Sequence, residues 1–268
     1  MELKKGFENI DLVKVQELYD KAFKDPKEFS DSFFGSYKKY YDLWTIWDGD
    51  NVVLMTTLVK KRISQNGNKI KAGLIVAVAV AEEYRGKGIM RDFMNNFLNE
   101  VRPFYDQIYI QATNWDLYKS FGFHVCTKKY KSKLKKDQFL KSNDLIEKTN
   151  YNKCNRIYND YVKMMNFENF TYRTTKESKQ ILKMALSCGE RIIQSYDCYL
   201  IVSSNGVTDY AYKDFKNFMR LISTLPQDTV IWGHEILDKR FFNYLDEIKI
   251  ETKILDKENV DVHFAEFF

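Results

Sequence analysis

Proline is nearly missing from this chain, with 3 in 268 residues, and cysteine and histidine are almost as rare. The four cysteines, Cys126, Cys154, Cys188 and Cys198, form no Cys-x-x-Cys pair, and the 3 histidines are scattered. That spacing argues against a disulfide framework and against a metal-ligand set, and it fits a reducing cytoplasm. Long hydrophobic runs are also lacking. The longest, Leu74–Ala81, falls far short of the ~20 residues a spanning helix needs, so no membrane association is expected. No apolar segment follows Met1–Phe7, so no secretory leader is expected. Neither charge sign dominates: 42 Lys and Arg against 37 Asp and Glu leave +5. That excess suits an anionic small ligand and is too small to argue for nucleic acid.

What is abundant is aromatic. Phe, Trp and Tyr make up 16% of the residues and hydrophobic residues 44%, enough for a real core and against long disordered stretches. The length suits two domains of ordinary size or one large one.

The most informative stretch runs from Ala72 to Phe123. Leu74–Ala81 is a continuous apolar run rich in β-branched residues, as expected for a strand covered on both faces. After the turn Tyr84-Arg85-Gly86-Lys87-Gly88, apolar residues at Ile89, Met90, Phe93, Met94, Phe97, Leu98 and Val101 follow helical spacing, which Pro103 stops. Gln107–Ala112 reads as a short strand. Asp116 is placed to cap a short helix, Leu117–Phe121, which Gly122 ends. A glycine turn between a buried strand and an amphipathic helix presents backbone N–H groups at a helix N-terminus, a trap for a pyrophosphate.

This order resembles the Gcn5-related N-acetyltransferase (GNAT) superfamily. Its loop pattern, Arg/Gln-x-x-Gly-x-Gly/Ala, is matched by Arg85-Gly86-Lys87-Gly88-Ile89-Met90, except that Met90 stands where a small residue is usual. Eis-type acetyltransferases share a bulkier residue there and continue Gly-apolar-apolar-Arg, as Gly88-Ile89-Met90-Arg91 does. A second match, Leu117-Tyr118-Lys119-Ser120-Phe121-Gly122-Phe123, is similar to the family's Tyr-x-x-Phe-Gly-Phe/Tyr. Each motif alone is weak; both, at this separation and with these intervening elements, are fairly specific. The resemblance is firm over roughly Leu43–Leu134.

The resemblance implies acetyl-CoA as cofactor and an amine, on a small molecule or a protein, as acceptor. The amides of Gly86, Lys87, Gly88, Ile89 and Met90 would hold the pyrophosphate, with Arg85, Lys87 and Arg91 adding charge. Exposed backbone at Val78, Ala79 and Val80 would pair with the pantetheine arm and polarise the thioester carbonyl. Tyr118 would stand beside the sulfur as general acid, and Asn114 would hydrogen-bond the cofactor arm. Strand 74–81 has no carboxylate to act as base; Eis-type enzymes bring a C-terminal carboxylate into the site, here that of Phe268, with a frayed terminus as the plain alternative.

The remainder of the first half completes the GNAT order. Leu12, Val15, Leu18, Tyr19, Ala22 and Phe23 share a helical face, and Phe29, Phe33, Phe34, Tyr37, Tyr40 and Tyr41 are expected to form a second. Leu43–Trp47 and Val52–Val59 read as a hairpin, and 64–68 as a further turn. In the bland reading, Phe33, Tyr37 and Tyr40 are core; in the functional one they wall an acceptor site. Lysines alternate with Tyr130, Ser132 and Leu134 in a strand with one wet face. A boundary falls near Asp137–Asn143.

Beyond it, helices are expected over 156–165, around 181–186, over 213–225 and over 236–248. A hairpin spans 199–212, with strands at 229–232 and 250–255. This half lacks an Arg-x-x-Gly-x-Gly loop. The expected fold class is α/β, a mixed sheet of GNAT fold over 1–138 followed by a degenerate GNAT-like unit without cofactor over 139–268. Eis-type proteins carry such a unit and also a sterol-carrier-like domain for which this chain has no room, so their aminoglycoside substrates and hexameric assembly are not carried over.

Three functions fit. An N-acetyltransferase uses both the loop and Tyr118. A non-catalytic acyl-CoA-binding regulator needs the loop alone. A tandem-GNAT aminoacyl transferase predicts a larger basic surface and no use for the loop. The acceptor and any homo-oligomeric state have no motif.

Overall fold

A computed structural model describes residues 1–112, 114–135, 149–165, 169–226, 228–234 and 245–256. Two compact units emerge, one mainly of residues 1–62 and 70–125, the other mainly of 63–69 and 126–254. The boundary expected at 137–143 lies outside the described residues.

The first unit opens with β1 (Glu2–Lys5), which the sequence reading did not anticipate, and α1 (Leu12–Phe23). The Asp11 side chain accepts from the amides of Val13 and Lys14, capping α1, and Val15, Leu18 and Tyr19 are its buried face. The expected second helix is cut short: α2 spans only Lys27–Phe34. Gly35 ends it, a short 3-10 turn covers Lys38–Tyr40, and Tyr41 already belongs to β2 (Tyr41–Asp48). The aromatic residues meet by folding back rather than along one helix. The rings of Phe33 and Tyr41 stack with centroids 4.6 Å apart, and the Tyr41 hydroxyl donates to the Phe33 carbonyl at 3.1 Å. Phe33 and Tyr37 are thus buried core, while Tyr40 is half-buried.

Next come β3 (Asn51–Gln65), β4 (Asn68–Val80), α3 (Ile89–Val101), β5 (Gln107–Ala112) and α4 (Asp116–Lys119). Strand order is β1-β2-β3-β4-β5. β1 and β3 run antiparallel to β2, whereas β4 and β5 run parallel, Ala72–Ile75 facing Gln107–Ile110. α3 buries Phe93, Met94, Phe97, Leu98 and Val101 against Trp44, Leu54, Leu58 and Ile75 of the sheet. The Trp44 and Phe97 rings meet edge to face at 4.9 Å.

The second unit contains β6 (His124–Leu134), α5 (Tyr151–Met164), β7 (Asn169–Thr171), α6 (Thr175–Ser187), β8 (Arg191–Gln194), β9 (Cys198–Ser203), β10 (Gly206–Tyr212), α7 (Phe215–Ile222), β11 (Val230–His234) and β12 (Leu245–Asp256). Its strands lie in the order β12-β6-β11-β10-β9-β8, with β11 and β10 parallel and β6/β11, β10/β9 and β9/β8 antiparallel. In β6, Ser132 and Leu134 are buried and Lys131 and Lys133 half-buried, the expected alternation. Residues 245–248, expected to end a helix, begin β12; residues 236–244 lie outside the described part. Helices α5 and α7 cover β9 and β10, and α6 packs on α5 and β8, around an aromatic-rich core that includes Tyr158, Tyr161, Tyr199, Tyr212 and Phe218. Among the described residues no helix is long and apolar enough to cross a membrane.

Candidate active site

The site begins with a fault in β4. Ala77 has φ +56, a left-handed conformation in the middle of a strand. For a residue with a Cβ this costs about 1–2 kcal/mol. The strand around it is held from the β3 side: both Thr56 and Thr57 hydroxyls donate to the Val76 carbonyl, at 3.2 and 3.1 Å, and the Ala81 amide donates to the Val53 carbonyl at 2.9 Å. Val78, Ala79 and Val80, the expected partners of a cofactor arm, lie beyond both the left-handed Ala77 and the Ala72–Ile75 ladder with β5. Ala79 is buried, and Val78 and Val80 are half-buried. The sequence reading missed Ala77, Thr56 and Thr57. The available signal was alanine at 77 between valines, since a β-branched residue tolerates φ > 0 worst.

Beyond β4, a 3-10 turn at Glu82–Tyr84 delivers the loop. Gly86 (φ +74) and Gly88 (φ +79) are both left-handed, and a Cβ built on either meets nothing within 4 Å. Open space therefore lies in front of both glycines, as a bulky phosphate group requires. Gly88 is the N-cap residue of α3 and supplies no side-chain cap, so the first-turn amides of Ile89, Met90 and Arg91 point out of the helix without a side-chain cap among the described residues. Arg85, Lys87 and Arg91 are exposed. The donor set fits a pyrophosphate: outward amides at a helix N-terminus, three cations, and no carboxylate from Arg85 to Arg91.

Two side chains behave otherwise than the motif alone indicates. The Arg85 Nε donates to the Val80 carbonyl at 3.0 Å, binding the loop to the end of its own strand. Met90 is half-buried and packs, with Ile89, Val78 and Val80, on the core of the first unit. Its bulk is directed into packing, and the residue offers the loop its amide.

Tyr118 is on α4. Its ring is buried in the core cluster that contains Phe93, Ile110 and Ala112, against which Val78, Val80, Ile89 and Met90 also pack. One hydrophobic cluster thus links Tyr118 to the end of β4 and to the loop. Burial pushes the phenol up to about 12, so it carries its proton at neutral pH. Among the described residues its hydroxyl has no hydrogen-bond partner. Gly122, at φ +81, closes the turn that brings Phe123 edge-on to Tyr118, with centroids 6.5 Å apart. Asn114 is exposed at the end of β5. Asp116 is not the cap that was expected: it sits inside the first turn of α4, with Trp115 at the N-cap position, and pairs with Lys119 at 2.6 Å. Phe268 lies outside the described residues.

Residues 6–126 match the family model of the acetyltransferase (GNAT) domain. No curated protein gives a significant match. Among solved structures, a conserved protein from Enterococcus faecalis V583, described as a probable N-acyltransferase, superposes with TM-score 0.73 at 15% identity, covering 95% of this chain and 72% of that one. A GCN5-related N-acetyltransferase from Kribbella flavida gives 0.70 at 13% identity, covering 95% and 70%. Eis1 from Mycobacterium abscessus gives 0.64 at 11%, covering 95% and 73%. At these identities the likeness is one of fold. The matched residues hold the loop, β4 and the Tyr118 segment, and over them the chain is similar to the acetyltransferase (GNAT) domain.

Proposed function

We propose that the protein is an acetyl-CoA-dependent N-acyltransferase acting on a primary amine of a small molecule or protein. The observation that carries this reading is the pair of left-handed glycines, Gly86 and Gly88, with open space before them at the uncapped N-terminus of α3. Acetyl-CoA would supply the acyl thioester. Amides from Gly86 to Met90 would hold its pyrophosphate, with charge from Lys87 and Arg91. Backbone N–H groups in Val78–Val80 would stabilise the negative charge developing on the acyl oxygen as the amine attacks directly. Tyr118, kept protonated by burial, would donate its proton to the leaving thiolate. Asn114 would hold the cofactor arm. The second unit, a mixed α/β assembly without a glycine loop of this pattern, is read as a GNAT-like partner domain that binds no cofactor.

The test is calorimetric titration with acetyl-CoA, followed by thiol release against a panel containing an aminoglycoside, a polyamine and a lysine peptide. Binding with thiol release on one amine class supports the proposal and names the acceptor. Binding without release across the panel replaces it with a non-catalytic acyl-CoA-binding regulator. Absence of binding rejects both.

A further inference from the structure

The loop is tied to a part of the first unit that no motif marks. Asp48 ends β2 at the tip of the first hairpin, with Gly49 at φ +56 beside it. The Tyr84 hydroxyl donates to Asp48 Oδ2 at 2.9 Å, across 36 residues of sequence. The Lys87 Nζ lies over the Tyr84 ring, 5.1 Å from its centroid. Tyr84 is the last residue of the turn that delivers the loop, and Lys87 stands between the two left-handed glycines.

Each link has a physical consequence. The carboxylate holds the phenol protonated, raising its pKa chiefly through their hydrogen bond, so Tyr84 stays a donor and stays oriented. A phenol donating to a carboxylate is richer in electrons than a free one and attracts a cation over its face more strongly. Lysine has a long flexible stem and loses much rotamer freedom when its ammonium is localised. Over a fixed ring, much of that loss is incurred before any ligand arrives.

We infer that Asp48 and Tyr84 are positioning residues for Lys87, holding its ammonium on the glycine loop so that the loop is ready for a pyrophosphate. The inference rests on the reading given under Proposed function and extends it to two residues outside the loop motif. Neither touches the reacting atoms. Their effect therefore belongs to the affinity for the phosphate-bearing cofactor and not to the chemical step.

The experiment compares wild type, Tyr84→Leu, Asp48→Asn, Lys87→Ala and the Tyr84→Leu/Lys87→Ala double variant. Acetyl-CoA is titrated calorimetrically, and KM and kcat are measured with acetyl-CoA and with S-acetylpantetheine, which lacks the pyrophosphate. Loss of an exposed cation–π contact predicts a two- to fivefold weaker Kd for acetyl-CoA in Tyr84→Leu, about as expected for such contacts. Asp48→Asn should weaken it in the same direction. KM for S-acetylpantetheine and kcat should not move, which a merely structural role of Tyr84 would not produce. The double variant should be no weaker than Lys87→Ala alone, since Tyr84 acts through Lys87. Unchanged or tighter acetyl-CoA binding in both single variants, equal loss with both acyl donors, or additive losses in the double variant overturns the inference alone. Failure of wild type to bind acetyl-CoA overturns it together with the proposed function.

Discussion

Arg85, the first residue of the loop motif, turns back on its own strand and donates from Nε to the carbonyl of Val80 at 3.0 Å. The contact makes Arg85 a strap between the end of β4 and the loop. The prediction is that Arg85→Ala weakens acetyl-CoA binding about tenfold, the order expected for a lost charge-assisted hydrogen bond at a partly solvated site. Its salt dependence should change less than that of Lys87→Ala or Arg91→Ala, because those exposed cations make no such hydrogen bond to the strand among the described residues. Titrations at two ionic strengths check this; an equal change of salt slope in all three would place Arg85 among the phosphate contacts.

Tyr118→Phe should leave acetyl-CoA binding intact and lower turnover by about 10²-fold or more, the usual scale for a positioned general acid. The sign of the pH effect follows from burial. The phenol is pushed up to about 12, so its acid form persists through neutral and moderately alkaline solution. Wild-type kcat should thus show no loss attributable to Tyr118 ionisation through neutral and moderately alkaline pH. Calorimetry with a pH–rate profile tests both points, and unchanged turnover in Tyr118→Phe would remove the residue from the mechanism.

The left-handed Ala77 predicts opposite effects from two small substitutions. Ala77→Gly relieves a strain of about 1 kcal/mol and should raise the urea midpoint or leave it unchanged. Ala77→Val places a β-branched side chain at φ +56 and should destabilise by more than that amount. Urea unfolding of both variants provides the check. If Val is tolerated as well as Gly, β4 does not need a left-handed residue at 77.

In the second unit, burial first and the nearby Asp209 second raise the Glu190 carboxyl from 4.5 to about 7. The sign is that of a buried acid: folding favours the protonated form, so Glu190 disfavours the folded state once ionised. Its contribution makes stability fall as pH rises from about 4.5 through about 7. Glu190→Gln should flatten that part of the Tm–pH curve and leave the curve below pH 4 unchanged. A parallel curve in the variant would mean that Glu190 titrates normally.

The two buried thiols should be inert. Burial raises Cys154 and Cys198 to about 12, and neither is in a disulfide. A thiol reagent at pH 8 should label Cys126 or Cys188, both half-buried, before either of them.

Much of this protein was legible from local patterns. β5 at Gln107–Ala112, α1 at Leu12–Phe23 and α3 after Gly88 fall where spacing and punctuation placed them. The reason is that periodicity, caps and left-handed glycines act within a few residues, and the loop motif is such a local object. The reading failed where two local patterns were equivalent. Aromatic residues at 29, 33, 37 and 41 suit one long helix, yet Gly35 ends α2 and Tyr41 stacks on Phe33 from a strand. Short elements such as β1 and β8 carry too few residues to show a period. In the same way, Thr174 and Glu177 form a capping box at the start of α6 that the apolar spacing, beginning at Ile181, did not reveal.

By itself the sequence determined the residue types of a phosphate-binding loop, the phenol on the segment that follows β5, and the GNAT pattern that both match. Only the tertiary structure decided that Ala77 takes a left-handed turn inside β4, that Arg85 Nε donates to the Val80 carbonyl, and that Met90 packs on the core. It also decided that Asp48, distant in sequence, anchors Tyr84 beneath Lys87. Spacing along a chain sets which groups are available within one turn or strand. Which of them meet across 36 residues depends on how hairpin and loop pack, an interaction that has no period to read.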